Sequence, residues 1–177
     1  MTRRSLATTA MPFHPDPDSA NRLRKQFSRA PAAVTLVAGL VDDQPDGFVV
    51  ATFVGLSLDP PLVSISIQRS SRTWQRLREL PAIGLTILST DHALYTRQLA
   101  AREGDRFANV DWFSTEHGAV GLENGTSFYS CKLEEEVAAG DHVLGIFRVL
   151  GTANDKEASP LIFADSSFQR LGGDVEF

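Results

Sequence analysis

Between Asp46 and Thr73 the chain changes its periodicity twice, and this run limits the fold more than any other. Over residues 62–68, apolar Val63, Ile65 and Ile67 alternate with polar Ser64, Ser66 and Gln68. A period of two is that of a strand burying one face and offering the other to something polar. Residues 48–56 read as a preceding strand. Asp59-Pro60-Pro61 ends it, because proline lacks a ladder donor and drives its predecessor out of the helical region. The two strands are expected to meet across a short connection. After Gln68 come Arg69-Ser70-Ser71-Arg72-Thr73, then Trp74, Leu77 and Leu80 at a spacing of three, the pattern of a short amphipathic helix capped by a hydroxyl. Unpaired N–H groups at a helix start attract anions, and two arginines and three hydroxyls surround this one. Capping accounts for the hydroxyls alone, whereas a phosphate-binding role accounts for the arginines as well; the pattern leaves both open.

The remaining segments read as a mainly β chain. Leu23 and Phe27 mark a short amphipathic helix over 21–28, and 33–41 reads as a strand. The turn cluster Asp42-Asp43-Gln44-Pro45-Asp46-Gly47 leads from it into 48–56, predicting a hairpin. A strand is expected over 83–89, then a helix over 91–101 with Tyr95 and Leu99 on an inward face. Residues 102–125 hold four glycines and scattered aromatics and read as a long ordered loop. Strands follow over 128–138, 142–152 and 161–163, with a last short segment at 167–171. Six or more strands in mostly neighbouring order, separated by few helices, predict a closed antiparallel barrel rather than a doubly wound parallel sheet.

Size and charge narrow the function classes. A chain of 177 residues is ordinarily one domain, large enough to bury a core without disulfides or structural metal. Its net charge of -5 argues against nucleic acid as a partner, since binding a phosphate backbone requires a basic surface. No apolar stretch approaches the roughly eighteen residues of a membrane span, so no membrane partner is expected. The lone Cys131 permits no internal disulfide, reads as a small core residue, and fits a reducing, cytoplasmic location. Residues 1–17 carry Pro12, Pro15 and Pro17 with no apolar signal core, and are expected to form a flexible tail ahead of one domain over 18–177.

Several chemistries lack their residues. His14, His92, His117 and His142 are dispersed without metal-ligand spacing, so no metal site is expected. Gly55-Leu56-Ser57-Leu58-Asp59 ends in aspartate where a nucleophile elbow requires glycine. Gly118, Gly121 and Gly125 have the wrong spacing for a dinucleotide fingerprint and follow no strand. Any dinucleotide must be held another way.

Five segments in order resemble the flavin reductases with an FMN-binding split barrel, including the reductase components of two-component flavin monooxygenases. They are 47–61, running into Ser57-Leu58-Asp59-Pro60-Pro61-Leu62; Ser71-Arg72-Thr73-Trp74; Asp105-Arg106-Phe107-Ala108-Asn109-Val110-Asp111-Trp112; Gly140-Asp141-His142; and Pro160-Leu161-Ile162-Phe163. The resemblance spans about 20 to 171 and implies an antiparallel, Greek-key-like split β-barrel. It further implies that a flavin ring lies against backbone groups of Gly47, Phe48, Val49, Ala51 and Thr52, with Ser66, Ile67 and Gln68 opposite. The phosphate end would meet Arg72 and Thr73. Relatives place a basic residue and an aromatic near Gln98 and Leu99, which makes these two candidate cofactor contacts although this chain departs there, and tyrosines where it has Phe163 and Phe168. The counterpart of His142 belongs to the nicotinamide side; a turn histidine satisfied by backbone is the other reading.

The implied activity is reduction of FMN or FAD by NADH or NADPH, feeding a separate monooxygenase. No basic cluster lies beyond the helix start, which favours NADH. A homodimer is implied. A flavin-binding protein without turnover, serving redox sensing or storage, is the alternative.

Overall fold

The computed structural model describes residues 20–172, so the expectation of a flexible tail over 1–17 lies outside the described residues. Helix α1 (Ala20–Phe27) buries none of its residues. Twelve strands follow among the described residues: β1 (Ala32–Ala33), β2 (Thr35–Val41), β3 (Gln44–Val50), β4 (Val54–Leu58), β5 (Pro61–Gln68), β6 (Ile83–Ile87), β7 (Trp112–Ser114), β8 (Val120–Leu122), β9 (Ser127–Ala139), β10 (His142–Asn154), β11 (Leu161–Ala164) and β12 (Ser167–Arg170). Helix α2 (Arg72–Leu77) follows β5, and α3 (Thr96–Leu99) follows β6.

Seven strands form one antiparallel sheet in the order β3-β2-β6-β9-β10-β5-β4. Its two edge strands are consecutive in sequence and joined by three residues, Ala51, Thr52 and Phe53, so the sheet must roll until its edges approach. No β3–β4 ladder is present among the described residues, so the expected closed barrel is corrected to a rolled sheet that hydrogen bonds do not close. A side chain spans the seam instead. The Thr52 hydroxyl donates to the Ser66 carbonyl (3.1 Å) and accepts from the Ser66 N–H (3.0 Å).

Alternation along the strands divides the interior into two cores. Val37, Val63, Ile65, Ile67, Ile83, Leu85, Cys131 and Phe147 fill the barrel with Trp74 and Leu77 of α2. Leu36, Ala38, Leu88, Leu99, Phe107, Val120 and Leu122 form the second core, between the outer sheet face and the 88–122 segment. Strand β6 therefore buries both faces.

Three local expectations are corrected as well. The strand predicted over 48–56 breaks after Val50, because Thr35 is the last partner β2 provides and the chain must cross to the other sheet edge. The predicted helix over 91–101 is a 3-10 turn over Thr90–Leu94 followed by one turn of α3; the Thr96 hydroxyl donates to the His92 carbonyl at 2.9 Å. The loop over 102–125 contains the β7–β8 hairpin, packed against β6 and β2.

His92 pins that turn to the hairpin. Its Nδ1 accepts from the Ser89 N–H (3.1 Å) and its Nε2 donates to the Glu123 carbonyl (2.9 Å), which fixes a neutral tautomer. Burial holds its pKa below the ordinary histidine value. The unfolded chain therefore binds the extra proton first, and stability is lost as pH falls below about 6.5, by at most ~1.4 kcal/mol per pH unit. His92→Gln keeps an acceptor and a donor but does not titrate. Thermal melts across this window should show a shallower acid limb in the variant; superimposable profiles would remove His92 from the acid response.

Candidate functional site

The outer face of β5 and β10 is built by register. Directly opposed residues of an antiparallel pair share a face, and His142 opposes Gln68, Leu144 opposes Ser66, and Ile146 opposes Ser64. Val54 of β4 opposes Ser64 and joins the same face. A polar row of Ser64, Ser66 and Gln68 thus lies beside His142 and two half-buried aliphatic side chains. Ile67 points the other way and is 2% exposed in the barrel core. Only its main chain can serve an external ligand.

His142 opens β10 immediately after the turn at Gly140 and Asp141. Its Nδ1 lies 2.7 Å from Oδ1 of Asp141, so an ionised carboxylate accepts and Nε2 is left facing outward. That hydrogen bond holds the Asp141 pKa below the usual carboxylate value. The Arg69 N–H donates to the Asp141 carbonyl, tying this turn to the chain entering α2.

At the start of α2, Ser71 is the N-cap and accepts from the Trp74 N–H at 3.2 Å, which occupies its hydroxyl oxygen as the capping reading predicts. Thr73 differs. It is 5% exposed, and its Oγ1 accepts from Nη1 of Arg106 (2.9 Å) and Nη2 of Arg76 (3.5 Å). Among the described residues its hydroxyl hydrogen has no acceptor. Arg72 is exposed, and among the described residues its side chain makes no hydrogen bond.

A network absent from the sequence reading lies behind Thr73. Asp46 accepts from the Arg76 guanidinium (Nε, 2.8 Å), from Nη1 of Arg106 (3.2 Å) and from the Gly47 N–H (2.9 Å). Arg106 also donates to the carbonyls of Gly47 (2.8 Å) and Ala101 (2.6 Å). Both polar backbone groups of Gly47 are therefore already paired. Gln98 donates to the carbonyls of Arg106 (3.0 Å) and Ala108 (2.8 Å), holding the loop that presents the guanidinium. Leu99 is fully buried in the second core, so its side chain does not reach the surface. Phe48 packs edge-on against Trp74, with ring centroids 6.4 Å apart. Val49 is half-buried against the second core, Ala51 is half-buried, and Thr52 is exposed at the seam. Phe163 and Phe168 meet edge to face at 5.8 Å on β11 and β12.

Among the described residues no cluster of three His, Cys, Asp or Glu side chains has metal-binding geometry, and no helix is long and apolar enough to cross a membrane. Burial pushes the Cys131 thiol up to about 12, which leaves it protonated and unreactive.

The chain is 27% identical over 152 residues to an actinorhodin polyketide dimerase of Streptomyces coelicolor, covering 84% of this chain and 85% of that one. It is 28% identical over 142 residues to the reductase subunit of a flavin-dependent monooxygenase from Rhodococcus jostii, covering 80% and 73% respectively. The structure of an NADH:FAD oxidoreductase from Streptomyces globisporus, in complex with NAD and FAD fragments, superposes with a TM-score of 0.87 at 26% identity, covering 93% of this chain and all of that one. The family described as "Flavin reductase like domain" matches residues 27–172, and the chain belongs to that family.

Proposed function

We propose that this protein is a flavin reductase that oxidises NADH and passes the electrons to FMN or FAD. One observation within this family carries the reading: the outer face of β5 and β10 leads from His142 past Gln68 to Thr73, a buried hydroxyl whose hydrogen has no acceptor among the described residues. A phosphate oxygen supplies that acceptor, and the exposed guanidinium of Arg72 supplies a countercharge. A bound flavin accepts the hydride that a reduced nicotinamide donates, so the chain needs to supply geometry more than acid or base.

In this reading Leu144, Ile146 and Val54 give a flat ring an apolar floor, while Ser66 and Gln68 meet its polar edge. The main chain of Phe48, Val49, Ala51, Thr52 and Ile67 borders the ring. Gly47, Gln98 and Leu99 support the site from behind. With its Nδ1 engaged by Asp141, His142 presents Nε2 to the carboxamide of a nicotinamide. His142→Ala should raise the nicotinamide KM several-fold and leave flavin affinity unchanged; unaltered steady-state kinetics would remove His142 from the site.

Exposed Val54, Leu56 and Leu58 on edge strand β4, with Val137 on the same sheet, support a homodimer. A monomer by light scattering contradicts it. The monooxygenase subunit among the relatives supports delivery of reduced flavin to a separate oxygenase. The primary test follows NADH and NADPH oxidation by the purified protein with FMN and FAD in turn. Turnover is the expected result. A bound flavin without turnover identifies a storage or sensing protein instead, and no affinity for either flavin overturns the assignment.

A further inference from the structure

We infer that Arg106 is a positioning residue for the flavin phosphate, acting through the hydroxyl of Thr73; the inference rests on the flavin reductase reading. A threonine hydroxyl has one hydrogen and two lone pairs and can turn either towards a ligand. Here guanidinium N–H groups of Arg106 and Arg76 occupy the acceptor side of Oγ1, at 2.9 and 3.5 Å. The hydrogen is thereby committed outward, and Thr73 becomes an obligate donor.

Arg106 is itself fixed. Its side chain is 16% exposed, and Asp46, the Gly47 carbonyl and the Ala101 carbonyl hold the guanidinium from three directions. The two guanidiniums share the single carboxylate of Asp46, which leaves one positive charge in excess beside Thr73. A cavity of about 280 Å³ lies beside this network, lined by Asp46, Arg76, Arg102 and Arg106 and by the acidic Glu103 and Asp105, and not by Thr73. Asp105 is engaged by the Phe107 N–H. Lysine cannot replace Arg106, because a single ammonium cannot span Thr73, Gly47 and Ala101 in the fork arrangement.

The test compares FMN with riboflavin, which lacks the phosphate, by equilibrium titration of flavin fluorescence. Wild-type protein should bind FMN more tightly than riboflavin. Arg106→Lys should lose about tenfold in FMN affinity while riboflavin changes by less than about twofold. Thr73→Val should give the same selective loss, Thr73→Ser should restore the preference for FMN, and the R106K/T73V pair should lose no more than T73V alone. Equal losses for both flavins in R106K overturn the inference, as do multiplicative losses in the double variant, or a loss that falls on NADH instead of FMN. Wild-type protein binding both flavins equally also overturns it, while the flavin reductase reading stands. Wild-type protein binding neither flavin is the failure of that reading itself.

Discussion

Trp74→Ala is expected to lower the unfolding free energy by about 4 kcal/mol, and with it the thermal midpoint by roughly 8–16 °C. The indole is 1% exposed and sits inside the barrel between Phe48 and Phe147, with ring centroids at 6.4 and 6.0 Å. Its Nε1–H donates to Oε1 of Glu136 at 2.7 Å, and Arg78 pairs with the other oxygen. Two effects combine in the alanine variant. The cavity dominates, because Phe48 of β3 and Phe147 of β10 flank the position on paired strands that cannot collapse onto it; the lost hydrogen bond adds about 1–2 kcal/mol. Trp74→Phe separates them, since it keeps most of the ring volume and loses only the Nε1–H. Its expected cost is about 1–2 kcal/mol. Thermal or urea unfolding reads both values. A Trp74→Ala protein as stable as Trp74→Phe would mean that the indole volume is not what holds α2 on the barrel. Because Thr73 precedes Trp74, the alanine variant should also weaken flavin binding.

What the sequence could disclose depends on how local each cause is. The period of two in β5 was readable because Val63, Ile65 and Ile67 enter the barrel core while Ser66 and Gln68 do not; only Ser64, 3% exposed, departs from a solvated polar face. The break after Val50 was not readable, since Ala51-Thr52-Phe53 contains no turn residue and the strand ends only because β2 stops supplying partners. The β7–β8 hairpin was hidden by strands of three residues, too short for any period to register. Leu99 carried two readings. Its spacing from Tyr95 predicted an inward face, which burial bears out, whereas the resemblance made it a candidate cofactor contact and its side chain lies in the second core. Asp46 passed as one more polar residue in a turn cluster. Its partners Arg76 and Arg106 lie 30 and 60 residues away, and no local pattern announces an ion pair across that distance. Arg106 lay within the loop read over 102–125 and within one segment of the resemblance, with no role attached.

Gly84→Ala is the second large effect, with an expected cost of about 3 kcal/mol. A Cβ at this position would stand 2.0 Å from the Val120 carbonyl oxygen and 2.8 Å from the Phe128 ring. A flexible side chain could yield to that contact, but a backbone carbonyl in a strand cannot. Strand β6 has no freedom to retreat either, because Gly84 is paired to Ala38 on β2 and to Ser130 on β9. The β7–β8 hairpin must therefore move outward. Doing so pulls Val120 and Leu122 from the second core and lengthens the bond from the Leu122 N–H to the Thr86 hydroxyl, now 3.3 Å. The same segment carries Phe107 into that core next to Arg106, so the hairpin's displacement should reach the guanidinium behind Thr73 and weaken FMN binding together with stability. Gly55→Ala is the matched control. A Cβ there meets nothing within 4 Å on exposed β4, and its expected change is within about 0.5 kcal/mol. Thermal melts of the two variants decide the point: if Gly84→Ala were as benign as Gly55→Ala, the hairpin would not lie against β6 closely enough to brace the loop that presents Arg106.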